Sequence, residues 1–143
     1  MRQNVTVTAR AETRYGSGEP ERVSFRVSGA LEKTARGVVL VYGEPEALGM
    51  GAVATTFETS GERATLTRDG AVRCAFRFAE GERHSSVYET AFGSFPAEVE
   101  TRALRAKLDA RGGVVEIRYA LTLGGATGEH RLKLLVRTEG SEA

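Results

Sequence analysis

The stretch "ATLTRDGAVRCAFRF", residues 64–78, decides the fold class. In its second half, apolar residues hold every second position and alternate with small or charged ones: Val72, Cys74, Phe76 and Phe78 against Ala71, Arg73, Ala75 and Arg77. A period of two is typical of a β-strand with one buried face. An Asp-Gly pair between two such runs favours a two-residue type I′ hairpin. The stretch therefore predicts two antiparallel strands joined by a tight turn at Asp69–Gly70.

The same period of two recurs along most of the chain. It is found in residues 5–11, 23–27, 115–123 and 132–136, and again from Phe95 to Ala103. The run "GVVLVYGE", residues 37–44, is almost continuously apolar, which predicts a strand buried on both faces. Gly-rich stretches such as "YGSGEPE", "AEGER" and "GGATGE" separate the runs and are interpreted as turns, as is "GMG" at 49–51. We expect about nine or ten strands.

One segment has helical character. "EVETRALRAKLDARG", residues 98–112, is rich in Ala, Leu, Arg and Lys, which are good helix formers. Its first residues continue the alternation of the preceding strand. We therefore predict a strand at the start of this segment and place any change of structure after Leu104.

Short connections between consecutive strands predict an antiparallel meander. Because a long meander with one wet face loses its exposed edges when it closes, we predict an all-β barrel of about 8–10 strands. An open sandwich is the competing architecture. The length of 143 residues suits one domain, 1–143, with a core at about residues 3–138 and a short polar tail at 139–143.

Composition narrows the possible functions. The formal net charge is +1, and acidic and basic residues are interleaved, whereas a dedicated nucleic-acid binder usually has a clustered basic face. Nucleic acid is therefore a disfavoured partner. No apolar run approaches the roughly 18 residues of a transmembrane helix, and the N-terminus lacks the apolar region of a signal peptide. These features predict a cytoplasmic protein without a membrane partner.

Cysteine and histidine content argues against metal or redox chemistry. The single cysteine, Cys74, excludes an internal disulfide and is expected to be a buried, unreactive thiol. The two histidines, His84 and His130, have no metal-ligand spacing, so we predict no metal and no cofactor. His130 shares the parity of the apolar positions in the last strand and is predicted to be a hydrogen-bonded core or rim residue.

The stretch "RHSSVYETAFGSF", residues 83–95, is the most site-like part of the chain. A catalytic His–Ser pair needs hydrogen-bond reach, but Ser85 points away from His84, and Ser86 lies roughly 7 Å along the strand. We therefore predict no catalytic residues. If this face points into the barrel, His84, Ser86 and Tyr88, together with Tyr119, are candidate ligand contacts in a mostly apolar lumen. The alternative is an amphipathic strand face that binds no ligand.

Two further charged groups have plain interpretations. Glu98 and Glu100 precede Arg102 on one strand face and predict a solvated ion-pair ladder. A second group of arginines falls close together across the predicted hairpin and could contact phosphates, although acidic residues share the neighbourhood and no exposed aromatic platform is evident for bases. This second group comprises Arg68, Arg73, Arg77 and Arg83.

Residues 66–101, "LTRDGAVRCAFRFAEGERHSSVYETAFGSFPAEVET", resemble the YwiB-like proteins. These are small uncharacterised bacterial proteins with a lipocalin-like (calycin-type) β-barrel, so the resemblance implies that barrel and supplies no reaction. The matching positions are Arg68, Gly70, Phe76, Phe78, Gly81, Tyr88, Thr90, Phe92, Gly93 and Thr101. Residues 38–59 are similar to the family's middle segment, and the general layout extends from about residue 5 to residue 136.

One position departs from the family pattern. Ala91 stands where the family usually has a proline, which makes the following corner less rigid. We interpret "VYETAFG" as a structural corner, where a strand bends at Phe92–Gly93 and resumes at Phe95.

The sequence favours a non-enzymatic barrel, a monomer or homodimer, that binds a small, partly apolar or amphipathic ligand in its lumen. The alternative is a packed barrel that contacts protein or RNA through an Arg-rich outer face that includes Arg73 and Arg77.

Overall fold

The computed structural model of the protein describes residues 2–44 and 53–139. They form ten β-strands, which confirms the predicted all-β fold: β1 Arg2–Arg14, β2 Glu21–Lys33, β3 Val38–Glu44, β4 Val53–Ser60, β5 Arg63–Gly70, β6 Cys74–Phe78, β7 Arg83–Thr90, β8 Gly93–Asp109, β9 Gly112–Leu123 and β10 Ala126–Thr138. Over these residues, no helix has the length and apolar character needed to cross a bilayer.

All ten strands belong to one antiparallel sheet with the order β6-β5-β4-β3-β2-β1-β10-β9-β8-β7. The first and last strands pair along ten residues, from Val5 opposite Thr138 to Arg14 opposite Glu129, and we call this pairing the β1–β10 junction. The sheet ends at β6 and β7, which face each other and form what we call the β6–β7 seam. The predicted meander is thus confirmed, and the described strands form a nearly closed barrel rather than an open sandwich.

The β6–β7 seam is bridged at its two ends. At one end, Arg73 and Glu89 exchange two backbone hydrogen bonds of 2.9 Å. At the other end, the turn after β6 is bound to β8, where Gly81 N donates to Thr101 O and Thr101 N donates to Glu82 O, both at 3.0 Å. This second attachment ties the turn to β8 rather than extending a ladder between β6 and β7.

Alternate residues of the strands fill the interior, as a period of two requires. The predicted inward face of β6 is confirmed, and the inward residues of β1, β9 and β10 are buried over most of their length. The largest fully buried side chains are Phe57, Phe76, Phe78, Leu31, Leu40, Leu66, Ile117 and Leu134. Large apolar groups from many strands therefore meet in one core that occupies the middle of the barrel.

The predicted two-residue turn at Asp69–Gly70 is wrong. The last pair between β5 and β6 is Arg68 opposite Cys74, so residues 69–73 form a longer connection. Gly70 instead pairs with Val53 of β4. A type I′ turn needs a positive φ at both central residues, and among the described residues only glycines have one, with +153° at Gly70.

Two strand predictions also need correction. The strand at 38–44 is buried on one face only, because Val39 and Val41 lie on the uncovered outer surface of the barrel and are half-buried. The segment 98–112 contains no helix: β8 continues to Asp109. Its irregularity is a β-bulge between Thr101 and Ala103, earlier than expected, after which Leu104 replaces Ala103 as the inward residue.

The predicted corner at Phe92–Gly93 is a hairpin. Thr90 pairs with Gly93, so the chain reverses through the two residues Ala91 and Phe92 rather than bending and resuming. The hydroxyl of Thr90 supports the turn by donating to Gly93 O at 3.2 Å. The predicted turn "GMG" lies outside the described residues.

Candidate ligand site at one end of the barrel

Four polar or thiol side chains form a row inside the barrel. Tyr42 on β3, Thr55 on β4, Arg68 on β5 and Cys74 on β6 are successive partners in the sheet register. Since partners in a sheet point to the same side, all four face the interior. Glu44 follows Tyr42 by two positions and shares its face. The row lies near one end of the barrel, where β3, β5 and β7 end.

The centre of this polar cluster is an ion pair. Arg68 Nε donates to Glu44 Oε2 at 2.7 Å, and Thr55 Oγ1 donates to the same oxygen. The side chain of Glu44 is 4% exposed and that of Arg68 is 18% exposed. A buried pair of this kind is weak evidence for stability, because well-packed apolar residues of similar volume are often equally or more stable.

The ionisable groups around the pair have shifted pKa values. Burial lowers the pKa of Arg68, but the Glu44 carboxylate raises it more, so the net shift is upward. Burial raises the pKa of the Tyr42 phenol, the Tyr88 phenol and the Cys74 thiol. Arg68 and Glu44 therefore form a charged centre surrounded by groups that stay neutral near pH 7.

Two of the four predicted ligand residues lie near this cluster. Tyr119 is buried, packs on Phe78 with ring centroids 5.0 Å apart, and has a pKa raised by burial to about 12. Tyr88 is half-buried and stacks on Phe76 with centroids 6.5 Å apart. Burial is the main cause that raises the pKa of each phenol, and the Arg68 charge lowers it while the Glu44 charge raises it, both by less.

The other two predicted ligand residues are engaged elsewhere. His84 points inward, but its Nε2 lies 3.4 Å from Glu82 Oε1, at the opposite end of β7 from Tyr88. Its Nδ1 is buried without a hydrogen-bond partner among the described residues. Ser86 Oγ donates to Ala75 O at 2.7 Å across the β6–β7 seam. The shared face of His84, Ser86 and Tyr88 is thus observed, but the three do not converge on one point.

His130 is a hydrogen-bonded core residue, as predicted. Its Nδ1 lies 3.1 Å from Thr13 Oγ1, and its ring stacks on Tyr119 with centroids 5.0 Å apart. Burial lowers the pKa of His130. The imidazole is therefore held in its neutral form.

The predicted cluster of four arginines does not form one surface. Arg68 lies inside the barrel, Arg73 is paired with Asp69 at 3.1 Å, and Arg83 lies 3.5 Å from Glu100. The prediction placed them together because they are close in sequence. The expected ladder on β8 is confirmed, since Arg102 also lies 3.8 Å from Glu100.

The positions that resemble the family signature fall into a few structural classes. Phe76 and Phe78 are core residues, and Gly81 and Gly93 have positive φ values of +78° and +132° at turns. Phe92 is 94% exposed at the tip of the β7–β8 hairpin.

Sequence reasoning missed Glu44 and Thr55 and did not place Arg68 inside. The signal was present in the alternation, because Arg68 shares the parity of Leu66 and Glu44 that of Tyr42. The prediction instead grouped Arg68 with the arginines close to it in sequence, as a possible phosphate contact, and gave Glu44 and Thr55 no role. Among residues 2–44 and 53–139, no group of three or more His, Cys, Asp or Glu side chains is arranged to hold a metal ion.

Comparison with known proteins agrees with this barrel. The chain is 27% identical over 141 residues to the "Uncharacterized beta-barrel protein YwiB" of Bacillus subtilis (strain 168), covering 98% of this chain and 97% of that protein. The crystal structure of the YwiB protein from Bacillus subtilis superposes with a TM-score of 0.85 at 23% identity, over 96% of this chain and 92% of that one. The domain family DUF1934, a domain of unknown function, matches residues 7–134. The chain therefore belongs to the DUF1934 family of uncharacterised β-barrel proteins.

Proposed function

We propose that this protein is a non-catalytic barrel that binds a small amphipathic molecule at the polar end of its interior. The observation that carries the proposal is the Glu44–Arg68 ion pair. Because such a pair contributes little net stability, its position in a largely apolar interior favours a role in recognition. A few fixed polar groups among apolar ones are the usual composition of a small-molecule site.

The polar end of the interior also offers partly accessible polar and apolar groups. Arg68 and Tyr88 are incompletely buried and can make hydrogen bonds to a ligand. Phe95 is the sheet partner of Tyr88 and is 38% exposed on the same side, so it supplies an apolar contact. The fully buried rings of Phe57 and Phe76 fill the barrel beyond this point. The ligand is therefore expected at the end of the barrel rather than along its whole axis.

The ion pair also limits the chemistry of the ligand. The positive charge of Arg68 is already balanced by Glu44 at 2.7 Å. A ligand with a net charge would leave one charge uncompensated in a poorly solvated place, which is unfavourable. The site thus favours a head group that is neutral or zwitterionic, joined to a small apolar body.

Native mass spectrometry of protein purified gently from its host tests the proposal. We expect an additional mass that is lost on denaturation. The variant Tyr88→Phe should retain less of this mass than the wild type, because it removes one hydroxyl from the site. Ser85→Ala is the control, since it also removes one hydroxyl from β7 but on the exposed outer face of that strand.

The results separate the proposal from its alternatives. An apo mass for the wild type, together with no thermal stabilisation by a library of neutral and zwitterionic amphiphiles, would contradict ligand binding. Equal retention in Tyr88→Phe and Ser85→Ala would place the ligand elsewhere. The first outcome would favour a packed barrel that acts through its outer surface.

A further inference from the structure

The outer surface of β2, β1, β10, β9 and the end of β8 carries an excess of positive charge. The sheet register arranges its exposed residues in rows across the strands. One row reads Ser24, Arg10, Lys133, Glu116 and Arg105, and the next reads Arg22, Glu12, Arg131, Arg118 and Ala103. These two rows hold six cationic and two acidic side chains, and we call them the basic face.

Like charges are direct neighbours on this face. Arg10 lies opposite Lys133, and Arg131 lies opposite Arg118. Directly opposed like charges destabilise a sheet. The acidic neighbours only partly relieve them, because Glu12 is bound to Arg22 at 2.8 Å. Glu116 is the second acid, opposite both Lys133 and Arg105.

Surface shape adds to this arrangement. Three grooves meet at Arg131: one runs beside Arg10 and Lys133, one beside Glu116 and Arg118, and one beside Arg14 and Arg102. An anionic chain can therefore reach the Arg131 side chain along several grooves.

We infer that the basic face binds the phosphate backbone of a nucleic-acid duplex. Arginine guanidinium groups match phosphate oxygens in a two-pronged geometry, and neighbouring cations on a sheet lie about 5 Å apart, so several phosphates can be contacted together. Phosphate neutralisation also removes the repulsion between Arg131 and Arg118. The inference is independent of the proposed ligand site, which lies inside the barrel.

The composition of the face favours a nucleic-acid duplex over other anionic partners. Protein interfaces usually have aromatic or apolar anchors at their centre, and the exposed residues of these two rows include none. Binding of single strands depends largely on stacking of bases on aromatic rings, which is equally absent here. Contacts to a duplex backbone need neither feature.

The basic face is not apparent from the interleaved charges of the sequence. Arg10, Arg118 and Arg131 lie far apart along the chain, and acidic residues are close to each of them. Strand pairing brings these cations together on one surface, while Glu89 and Glu100 lie on β7 and the first part of β8. Interleaving in the sequence therefore does not exclude a basic face in the fold.

Fluorescence anisotropy tests the inference with a labelled RNA duplex of mixed sequence. The duplex has about 16 base pairs, a length typical of duplex-binding modules. The test variant is Arg118→Glu/Arg131→Glu. The control, Arg36→Glu/Arg77→Glu, has the same charge change at exposed sites outside the basic face. We expect the test variant to bind at least about tenfold more weakly and to lose about two units of the salt-dependence slope, with the control close to wild type.

Three outcomes would overturn the inference. They are absence of duplex binding by the wild type at low salt, equal losses in the two double variants, and displacement of the duplex by poly-glutamate as effectively as by unlabelled RNA. The last outcome would identify an acidic protein as the better partner. The test and control double variants are first compared with the wild type by thermal unfolding, so that loss of folding is not mistaken for loss of binding. A third double variant, Arg10→Gln/Lys133→Gln, repeats the binding test without introducing negative charge.

Discussion

The β1–β10 junction and the β6–β7 seam complete the same barrel in different ways. At the junction, strands from opposite ends of the sequence pair along ten residues. At the seam, strands that follow one another in sequence are connected by one isolated bridge, a turn bound to β8, and the Ser86–Ala75 hydrogen bond. Proximity in sequence therefore does not determine which strands form a ladder.

The junction and the seam also differ in the interactions that hold their strands together. The junction is held by regular backbone hydrogen bonds between two long strands. The seam depends on side chains that cross it, such as the stacked rings of Phe76 and Tyr88. Substitution of side chains should therefore affect the seam side of the barrel more selectively, and the following predictions are ordered by the size of the expected effect.

The largest effect is expected from Arg68→Met on the seam side. This change leaves Glu44 buried without its cation and should lower the free energy of unfolding by about 3–5 kcal/mol, as measured by urea denaturation. The double variant Arg68→Met/Glu44→Gln should recover most of the loss, because no buried charge remains.

The matched control is Arg102→Met on β8, whose partner Glu129 lies at the end of the β1–β10 junction. Arg102 contacts Glu129 at 2.8 Å, nearly the same distance, but both side chains are about half exposed. Loss of this pair should lower the free energy of unfolding by less than about 1 kcal/mol. Equal effects of the two single variants would contradict the distinction between the two ion pairs.

The buried phenol of Tyr119 should make the stability of the barrel depend on pH in alkaline solution. The folded-state pKa of about 12 lies above the ordinary value of 10.0, so the neutral phenol stabilises the fold below pH 10. This contribution, roughly 2–3 kcal/mol, is lost as the pH rises from 10 through 12. In a urea series between pH 10 and pH 12, the free energy of unfolding of Tyr119→Phe should fall less steeply than that of the wild type.

Ser86→Ala should have a smaller effect that is confined to the seam. Loss of the hydrogen bond to Ala75 O should lower the free energy of unfolding by about 1 kcal/mol, whereas Ser85→Ala on the exposed face should change little. Hydrogen exchange should become faster at amides of β6 and β7 and stay unchanged at the β1–β10 junction. Faster exchange at the β6–β7 seam and at the β1–β10 junction alike would indicate global destabilisation instead.

His130 on the junction side should give the smallest effect. Its pKa is lowered in the folded state, so the unfolded chain binds a proton first as the pH falls below the ordinary value of 6.5. The contribution of His130 to stability is therefore complete above that pH and decreases below it. His130→Gln should show a flatter decline in melting temperature between pH 7 and pH 5, and His84→Gln provides the comparison.

Much of the fold follows from local patterns, and the errors have a common cause. The alternation of Val72 to Phe78 identifies both the strand and its buried face, because local geometry links the two. The seam, the bulge at Thr101 and the loop after Arg68 depend on tertiary hydrogen bonds that the alternation does not encode. The alternation gives Glu44 and Arg68 inward parity, but it does not encode their pairing, which joins β3 to β5 across an intervening strand.

The position of the β6–β7 seam has a consequence for the order in which the barrel is assembled. During synthesis, β1 is made first, but its partner on one side, β10, is made last, so a half-sheet with an open edge must persist until the end. A circularly permuted chain that begins at β7, runs from β10 directly into β1 and ends at β6 would follow the spatial order of the sheet without interruption. Every ladder in that permutant would join consecutive strands, so its contact order would be lower and it should refold faster than the natural chain.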